Sequence, residues 1–306
     1  MVVIGNFDGV HRGHRALLER AVEEADGLGV DVRVLTFFPH PATVLGRRAP
    51  ALLTRQDRKR ELIGRISPRI ELVEERFDLA YAAQSPEEFC HRLAVQHDAK
   101  RVVVGNNFRF GKDRAGDFNR LVELGKAHGF TARSEQIFGD ERGPWSSTRV
   151  RTAIAAGDIA DATHVLGRPH MLSGEVVRGK QLGRTIGFPT CNLHGVAEAL
   201  VPYGIYAVTV DRMTESGAVA LAKGALSVGT NPTTDADDCV KVEVYLFDLD
   251  QDLYGQTLRV HVIERLRAEA TFDSLEALVA QMHIDVERAR AVVDRLTPSA
   301  DGGAFG

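Results

Sequence analysis

The sequence predicts an α/β protein of two parts: a doubly wound parallel sheet, then a small antiparallel β-barrel or sandwich that ends in a helix. Its 306 residues are long for one compact domain and suit two. Over the first half, short apolar runs alternate with segments of helical period, which is typical of a parallel sheet covered by helices. From about Gly174, short β-branched and aromatic runs separated by glycines replace that alternation.

The first half yields five predicted strands, which are Met1–Ile4, Val32–Phe37, Ile70–Val73, Arg101–Gly105 and Phe130–Ile137. Three successive valines in the fourth indicate a strand buried on both faces. The helices predicted between them are Leu17–Leu28, one after a capping box at Thr54–Asp57, one after the cap Ser85–Glu88, and Phe118–His128. Such a sheet binds ligands at the carboxyl ends of its strands.

The second half yields predicted strands at Gly174–Val177, Ile205–Val210, Ala225–Val228, Val240–Phe247 and Leu258–Ile263. A last helix is predicted to open at Asp273-Ser274. We expect domains at residues 1–165 and 166–296, followed by a polar, glycine-rich and disordered tail at 297–306.

Composition and charge exclude several classes of protein. The hydrophobic share of 44% and the charged share of 26% are typical of a globular chain rather than a disordered one. A net charge of −4 argues against binding nucleic acid or an anionic membrane through overall charge, although it allows a local basic pocket. No run of apolar residues reaches membrane-spanning or signal-peptide length. The three scattered cysteines predict neither disulfides nor a zinc site, so we expect the reducing cytoplasm.

The first candidate site is the segment Gly5–His14, which follows the first strand and opens the first helix. Unpaired N–H groups and the helix dipole favour an anion there. Gly9 and Gly13 lack side chains that would keep a phosphate away from the backbone. His11 and His14 lie on one helix face, where imidazoles can donate to charge growing on a phosphate. This His-x-Gly-His pattern predicts a nucleotide-phosphate site.

Two further segments are predicted at the same edge of the sheet. Gly105–Lys112 follows the fourth strand and supplies amides and cations. Trp145–Arg151 supplies hydroxyls and two arginines at a helix start, although such a run is by itself more often an ordinary cap. We expect all three segments to converge.

The second candidate site is in the β half. Gly174–Gln181 comes within one residue of a P-loop, but Gln181 replaces the Ser/Thr that would bind Mg²⁺ and no convincing helix follows, so a P-loop enzyme is rejected. What remains is a basic, glycine-bearing loop suited to closing over phosphates. In an extended Thr190–Asn192, a hydroxyl and an amide share one side, and both are hard ligands suited to Mg²⁺. Taken alone, such a pair is more often a turn.

A candidate base follows in the strand Lys241–Phe247. Its alternation places Val242 and Val244 on one face and Glu243 on the other. In an isolated strand, a solvated glutamate is the simpler interpretation. Phosphoryl transfer to a hydroxyl, however, needs a carboxylate within hydrogen-bond reach of that hydroxyl.

Over essentially the whole chain, these segments resemble the bacterial bifunctional riboflavin kinase/FMN adenylyltransferases, or FAD synthetases, whose first half is an HxGH nucleotidyltransferase. Further similar blocks are Thr36–Pro41, Ser85–Phe89, Thr185–Leu193, Asp248–Gly255 and Arg265–Arg267. The resemblance implies that the second half, as a six-stranded barrel, phosphorylates riboflavin to FMN with ATP. It implies that the first half adenylylates FMN with ATP, giving FAD and pyrophosphate.

The resemblance also implies residue roles. At the adenylyltransferase site, the catalytic pair is His11 and His14, and the flavin and nucleotide pocket includes Asn107 and Arg109. The implied ATP and phosphate contacts there are Gly5, Asn6, Phe7, Asp8, Gly13, Ser147, Thr148 and Arg151. At the kinase site the implied roles are the base Glu243, Mg²⁺ near Thr190 and Asn192, phosphates near Gly179, Lys180 and Gly183, and flavin near Arg267.

Two alternatives stay open on the sequence. One half could be kept only as a scaffold, so that a single activity remains. The chain could instead be a non-catalytic flavin- or nucleotide-binding regulator, but a binder needs no carboxylate such as Glu243 beside a hydroxyl. A class I aminoacyl-tRNA synthetase shares the histidine-bearing loop and is disfavoured by the missing KMSKS-type segment and the acidic charge.

Overall fold

The structure is a computed structural model that describes residues 1–135, 138–179, 181–230 and 240–296, with the side chain of Leu182 excepted. The chain forms two compact units, Met1–Ser146 (unit 1) and Ser147–Gly306 (unit 2). Three predictions fall outside the described residues: the end of the fifth strand at 136–137, the phosphate contact of Lys180, and the tail at 297–306.

Unit 1 is built on a parallel sheet. Its strands in the described residues are β1 (Val2–Ile4), β2 (Val32–Phe38), β3 (Ile70–Arg76), β4 (Arg101–Gly105) and β5 (Thr131–Glu135), followed by a short hairpin of β6 (Gly139–Asp140) and β7 (Gly143–Pro144). The order is β3-β2-β1-β4-β5 and all neighbouring pairs are parallel. The predicted parallel sheet is confirmed.

Helices cover both faces of this sheet. They are α1 (Arg12–Leu28), α2 (Pro41–Val44), α3 (Gln56–Gly64), α4 (Leu79–Ala82), α5 (Pro86–Val95) and α6 (Phe118–His128). Val102 and Val104 belong to one apolar core and Val103 belongs to the other. All three valines are fully buried, as their succession predicts, so the sheet is doubly wound.

Local signals place some helix ends well and one wrongly. Ser85 and Glu88 exchange side-chain and backbone hydrogen bonds, so α5 opens with the predicted capping box. The predicted cap at Thr54 is wrong, because α3 has Arg55 at its N-cap position with no side-chain hydrogen bond. The Thr54 N–H instead donates to the Asp8 carboxylate at 3.0 Å, which is a tertiary contact that spacing alone does not reveal.

Unit 2 is a closed antiparallel barrel preceded by two helices. Its helices and strands in the described residues are α7 (Ser147–Ala156), α8 (Ile159–Leu166), β8 (His170–Val177), α9 (Leu182–Thr185), β9 (Thr190–His194), β10 (Gly204–Thr214), β11 (Gly217–Gly229), β12 (Lys241–Leu246), β13 (Thr257–Ala268) and α10 (Leu275–Val293). The barrel order is β10-β11-β12-β9-β8-β13, closed by β13 against β10. The barrel, rather than the sandwich, is therefore the observed architecture.

The barrel strands extend beyond the predicted apolar runs. β8, for example, begins at His170 because buried polar residues continue its pairing with β13. The last helix α10 opens with Ser274 as its N-cap, and Ala289 and Val293 pack it against Ala207 of the barrel wall.

Helices α7 and α8 belong to unit 2, where α8 contacts β8 and β13. The domain boundary expected between residues 165 and 166 falls in the last turn of α8, and it stays a prediction. No helix within the described ranges is long and apolar enough to cross a membrane.

Candidate active sites

The loop after β1 and the first turn of α1 hold the two predicted histidines together. His11 is the N-cap of α1, and its Nδ1 accepts a hydrogen bond from the His14 N–H at 3.3 Å. Because Nδ1 is the acceptor, the neutral His11 ring carries its proton on Nε2. The two imidazole rings stack with centroids 3.6 Å apart, and the Phe7 ring lies 5.0 Å from that of His14.

A cavity of 610 Å³ opens beside this turn. The predicted site residues that line it are Gly5, Asn6, Phe7, His14, Asn107 and Arg109. His11 is only 5% exposed and supports His14 through ring stacking. Two arginines that the sequence did not single out, Arg47 and Arg114, also line the cavity and make it suitable for an anion.

Sequence reasoning missed the aromatic wall of this cavity. Its members, drawn from separate parts of unit 1, are Phe37, Phe77, Tyr81, Phe89, Phe108 and Phe110. The rings of Phe37 and Tyr81 meet edge-on at 5.6 Å, and those of Phe108 and Phe110 stack at 5.5 Å. A flat ring system fits such a wall. The missed signal was the position of Phe37 at the carboxyl end of β2 and of Phe108 in the loop that follows β4.

Asp8 and Gly13, two of the residues predicted to contact phosphate, have clear structural roles within unit 1. The Asp8 carboxylate is buried and accepts hydrogen bonds from the N–H groups of Leu53 and Thr54 at 3.0–3.1 Å. A Cβ on Gly13 would lie 2.7 Å from the Trp145 carbonyl oxygen, so packing alone requires a glycine at this position. Contact of Asp8 and Gly13 with ATP stays a prediction.

The predicted triphosphate contacts from the Trp145–Arg151 segment lie in unit 2. Ser147 and Thr148 are in the first turn of α7, and Arg151 is in the next turn. The helix start that the sequence indicated is therefore confirmed, while its convergence with the histidine pair stays a prediction.

Antiparallel pairing of β9 with β12 brings together the residues of the second candidate site. Asn192 pairs directly with Glu243, and Thr190 pairs with Tyr245. Directly opposed residues of antiparallel strands share a face, as do alternate residues of one strand. A hydroxyl, an amide and a carboxylate thus lie on one face, while Val244 points into the barrel core.

The loop after β8 packs against this face. A Cβ on Gly179 would lie 2.5 Å from the Asn192 Nδ2. A Cβ on Gly183 would overlap the Phe188 carbonyl and lie 3.6 Å from the Thr190 Oγ1. Gly179 therefore approaches Asn192, and Gly183 approaches the Phe188 carbonyl, more closely than a residue with a β-carbon could. The loop is also tied to Tyr254, over whose ring the Arg178 guanidinium lies at 5.1 Å.

Glu243 is half-buried, and desolvation raises the pKa of its carboxyl, with Lys241 opposing that shift. A carboxylate with a raised pKa is a stronger base, which suits proton removal from a hydroxyl. Directly paired residues continue from Glu243 across the wall through Ser227 and Ile205 to Arg267.

Arg267 lies at the far end of this row, on β13. Its guanidinium donates to both oxygens of the buried Asp285 carboxylate on α10 at 2.8–3.0 Å. The guanidinium carbon of Arg267 also lies 5.8 Å from the centroid of the Phe272 ring. Direct contact of Arg267 with a flavin stays a prediction, since its observed partners hold α10 to the barrel.

Comparisons with known proteins match the two halves of the chain, each with its own candidate site, to two different families. The FAD synthetase family matches residues 1–149, and the riboflavin kinase family matches residues 166–293. The bifunctional riboflavin kinase/FMN adenylyltransferase of Escherichia coli K12 is 40% identical over 292 residues, which cover 95% of this chain and 91% of that protein. This chain belongs to that bifunctional family. The Pseudomonas fluorescens member is 37% identical over 302 residues, covering 98% and 94% of the two chains.

A solved structure shares the fold across both units. It is described as a macrolide-efflux protein from Streptococcus pneumoniae, and it aligns with a TM-score of 0.80 at 32% identity over 94% of this chain and 93% of that one. The predicted fold class, family and enzyme class are confirmed: the chain contains a FAD synthetase domain and a riboflavin kinase domain. Riboflavin, FMN, FAD and ATP are the substrates and products of this bifunctional enzyme family.

Proposed function

We propose that the two reactions take place at the two sites described above, with residues 1–165 as the adenylyltransferase domain and residues 166–296 as the kinase domain. The observation that carries the proposal is the direct pairing of Asn192 with Glu243 beneath the Gly179 backbone. This pairing supplies a base and hard ligands beside a glycine-bearing loop. The cavity beside His14 supplies donors and an aromatic wall.

At the kinase site, Glu243 accepts the proton of the riboflavin 5′-hydroxyl as that oxygen attacks the γ-phosphorus of ATP. The new P–O bond forms as the bond to ADP breaks. The raised pKa of Glu243 helps its carboxylate to hold the proton. Gly179, Lys180 and Gly183 close over the phosphates.

Thr190 and Asn192 are the residues that would hold Mg²⁺. Their hydroxyl and amide oxygens share one face with Glu243, and hard oxygen donors of this kind are the ligands that Mg²⁺ prefers. Mg²⁺ commonly takes few protein ligands and completes its shell with phosphate oxygens and water. Once bound, the ion would neutralise charge on the phosphates of ATP.

At the adenylyltransferase site, an FMN phosphate oxygen attacks the α-phosphorus of a second ATP, and the bond to pyrophosphate breaks. The attacking phosphate is already an anion, so no general base is needed. His14 donates to the charge that develops on the phosphates, and His11 holds the His14 ring in place by stacking. The wall of Phe37 and Phe108 holds the flavin ring, and Asn107 and Arg109 contact the ligand from the loop after β4.

A flavin conversion assay tests this proposal. The purified chain is incubated with riboflavin, ATP and Mg²⁺, and flavins are separated and quantified by fluorescence. We expect FMN to accumulate first and FAD to follow. A chain with one retained activity would stop at FMN or would convert only supplied FMN. A non-catalytic regulator would bind flavin without consuming ATP.

We also propose a cytoplasmic location, supported by the cysteine content. Cys90 and Cys191 are free thiols, as a reducing compartment would keep them. Cell fractionation followed by the same flavin assay tests this location.

A further inference from the structure

The turn that carries the first half of the His-x-Gly-His segment has an unusual backbone. Phe7 and Val10 have φ values of 49° and 39°, and Gly9 between them has 87°. The left-handed region is unfavourable for a residue with a β-carbon and especially for a β-branched one. Such a turn persists only when the surrounding structure holds it.

Two buried side chains hold the start of this turn through a single acceptor, the Asn6 carbonyl oxygen. Lys59 of α3 donates to it from Nζ at 2.9 Å, and Thr36 of β2 donates from Oγ1 at 3.2 Å. Lys59 is 4% exposed and Thr36 is 0% exposed. A carbonyl oxygen has two lone pairs, and these two donors use both.

The residues just before α3 make a second contact that holds the turn. The Asp8 carboxylate accepts the N–H groups of Leu53 and Thr54, which come just before α3. We call Leu53, Thr54 and Lys59 the α3 clamp. It fixes the turn at Asn6 and Asp8, on both sides of Phe7.

The clamp decides where the next backbone donor points. The Asn6–Phe7 peptide is trans, and the C=O and N–H of a trans peptide point in opposite directions. With the Asn6 carbonyl directed toward Lys59, the Phe7 N–H is directed to the other side of the turn. Phe7 and His14 line the same cavity and their rings are in contact, so the clamp also sets where His14 stands.

The clamp also places the buried Lys59 ammonium against the turn, at the Asn6 carbonyl. Burial lowers the pKa of the Lys59 ammonium, and the nearby Asp8 and Glu74 carboxylates oppose that shift. An ammonium that donates to a neutral carbonyl keeps its positive charge available to more distant phosphates.

We propose that Lys59 is a positioning residue for adenylyl transfer, which holds the Asn6–Val10 turn in the shape that presents the Phe7 N–H and His14 to the phosphates of ATP. This inference rests on the proposed location of adenylyl transfer in the cavity beside His14. It assigns a positioning role to a helix that the sequence alone did not connect with the site.

The test uses the full chain and compares three variants. Lys59→Met keeps the length of the side chain and removes the ammonium, and Thr36→Val removes the second donor to the same carbonyl. Ile63→Ala is the matched control, because Ile63 is 1% exposed on the same helix and contributes only apolar packing to the core that also holds Phe7 and Val10, with no side-chain hydrogen bond to the turn. FAD formation from FMN and ATP is measured as kcat and KM, and riboflavin phosphorylation by the same preparation is the internal standard.

Folding of unit 1 is monitored independently. Trp145 is the single tryptophan of the chain and lies in unit 1, so its fluorescence reports unfolding of that unit. Activities are compared at a temperature where this signal shows every variant folded.

We expect Lys59→Met to lower kcat for FAD formation about 10²-fold, by more than it raises the KM for ATP. Misplaced donors weaken stabilisation of the transition state more than they weaken binding of the substrate. Thr36→Val should lower kcat less, and the double variant should fall short of the product of the two effects because both act on one carbonyl. Ile63→Ala should unfold at a lower temperature and keep kcat within twofold.

Equal kcat values for the folded wild type and Lys59→Met would overturn the inference. So would a loss in Lys59→Met no greater than that in Ile63→Ala, since Lys59 would then only stabilise α3. Failure of the proposed function is distinguishable, because the wild-type chain itself would then make no FAD from FMN and ATP.

Discussion

The two sites are assembled in opposite ways. The first is a continuous stretch of chain, in which a turn, a helix cap and two stacked imidazoles follow one another between Gly5 and His14. The second has no continuous core: Thr190 and Asn192 meet Glu243 only because β9 pairs with β12 in one register. The first site depends on local geometry, and the second depends on closing the barrel.

The carboxylates at the two sites also differ in their surroundings and in their roles. At the first site, Asp8 is held by backbone N–H groups and stabilises a turn. At the second, Glu243 is half-buried and its pKa is raised, so it suits proton transfer. A phosphate nucleophile needs no base and a hydroxyl nucleophile does. The difference between the sites therefore follows the difference between the two nucleophiles.

Replacing the base should have the largest effect. We expect Glu243→Gln to lower FMN formation about 10³-fold, because an amide cannot accept the proton of the 5′-hydroxyl. FAD formation from supplied FMN should stay within twofold, which serves as the control for folding and for ATP supply. Loss of both activities from folded protein would contradict the division between the sites.

Removing one imidazole is the mirror experiment. His14→Ala should lower FAD formation from FMN about 10²-fold, since a donor to the developing phosphate charge is lost. Riboflavin phosphorylation by the same preparation should be unchanged. A parallel fall of the kinase rate would show that the sites are not independent.

A methyl group at the kinase loop should have a smaller effect. Gly179→Ala places a Cβ 2.5 Å from the Asn192 amide nitrogen, so Asn192 must move, and we expect kcat/KM for riboflavin phosphorylation to fall about tenfold. The matched control is Gly27→Ala in α1, where a Cβ would meet nothing within 4 Å. Equal kinase rates in the two variants would show that the Gly179 approach is unimportant.

The smallest expected difference between the two activities is in their pH dependence. Protonation stops Glu243 from acting as a base, and burial raises its pKa, so kinase activity should fall on acidification at a higher pH than an ordinary glutamate would give. Lys241→Met removes a cation that lowers this pKa, so its acidic limb should move to higher pH still. Lys223→Met, which removes an ion pair with Asp294, is the control. An acidic limb that does not respond to Lys241 would belong to another group.

Local signals account for what the sequence predicted well. The buried valines of β4, the Ser85 capping box and the His11 cap depend on neighbours in the chain, and each lies where its pattern indicated. The barrel strands were predicted too short because periodicity ends at polar residues, whereas strand pairing continues through buried ones such as His170.

The missed parts depend on tertiary contacts. The aromatic wall combines Phe37, Tyr81 and Phe108 from separate elements, and each ring alone has the pattern of a core residue. Lys59 lies on a helix with a strongly charged sequence, and only the folded turn buries it. Thr54 matched a capping pattern, but its N–H is used by Asp8.

A mixing experiment tests most directly the claim that one chain carries two independent sites. Each single variant, Glu243→Gln and His14→Ala, is incubated with riboflavin, ATP and Mg²⁺ alone, and then the two are mixed. We predict little FAD from either protein alone and near wild-type conversion from the mixture, since FMN released by His14→Ala protein is adenylylated by Glu243→Gln protein. A chain that carries both substitutions should form no FAD from riboflavin under the same conditions, and it serves as the negative control. Absence of FAD from the mixture, or FAD from riboflavin by either variant alone at the wild-type rate, would contradict the account.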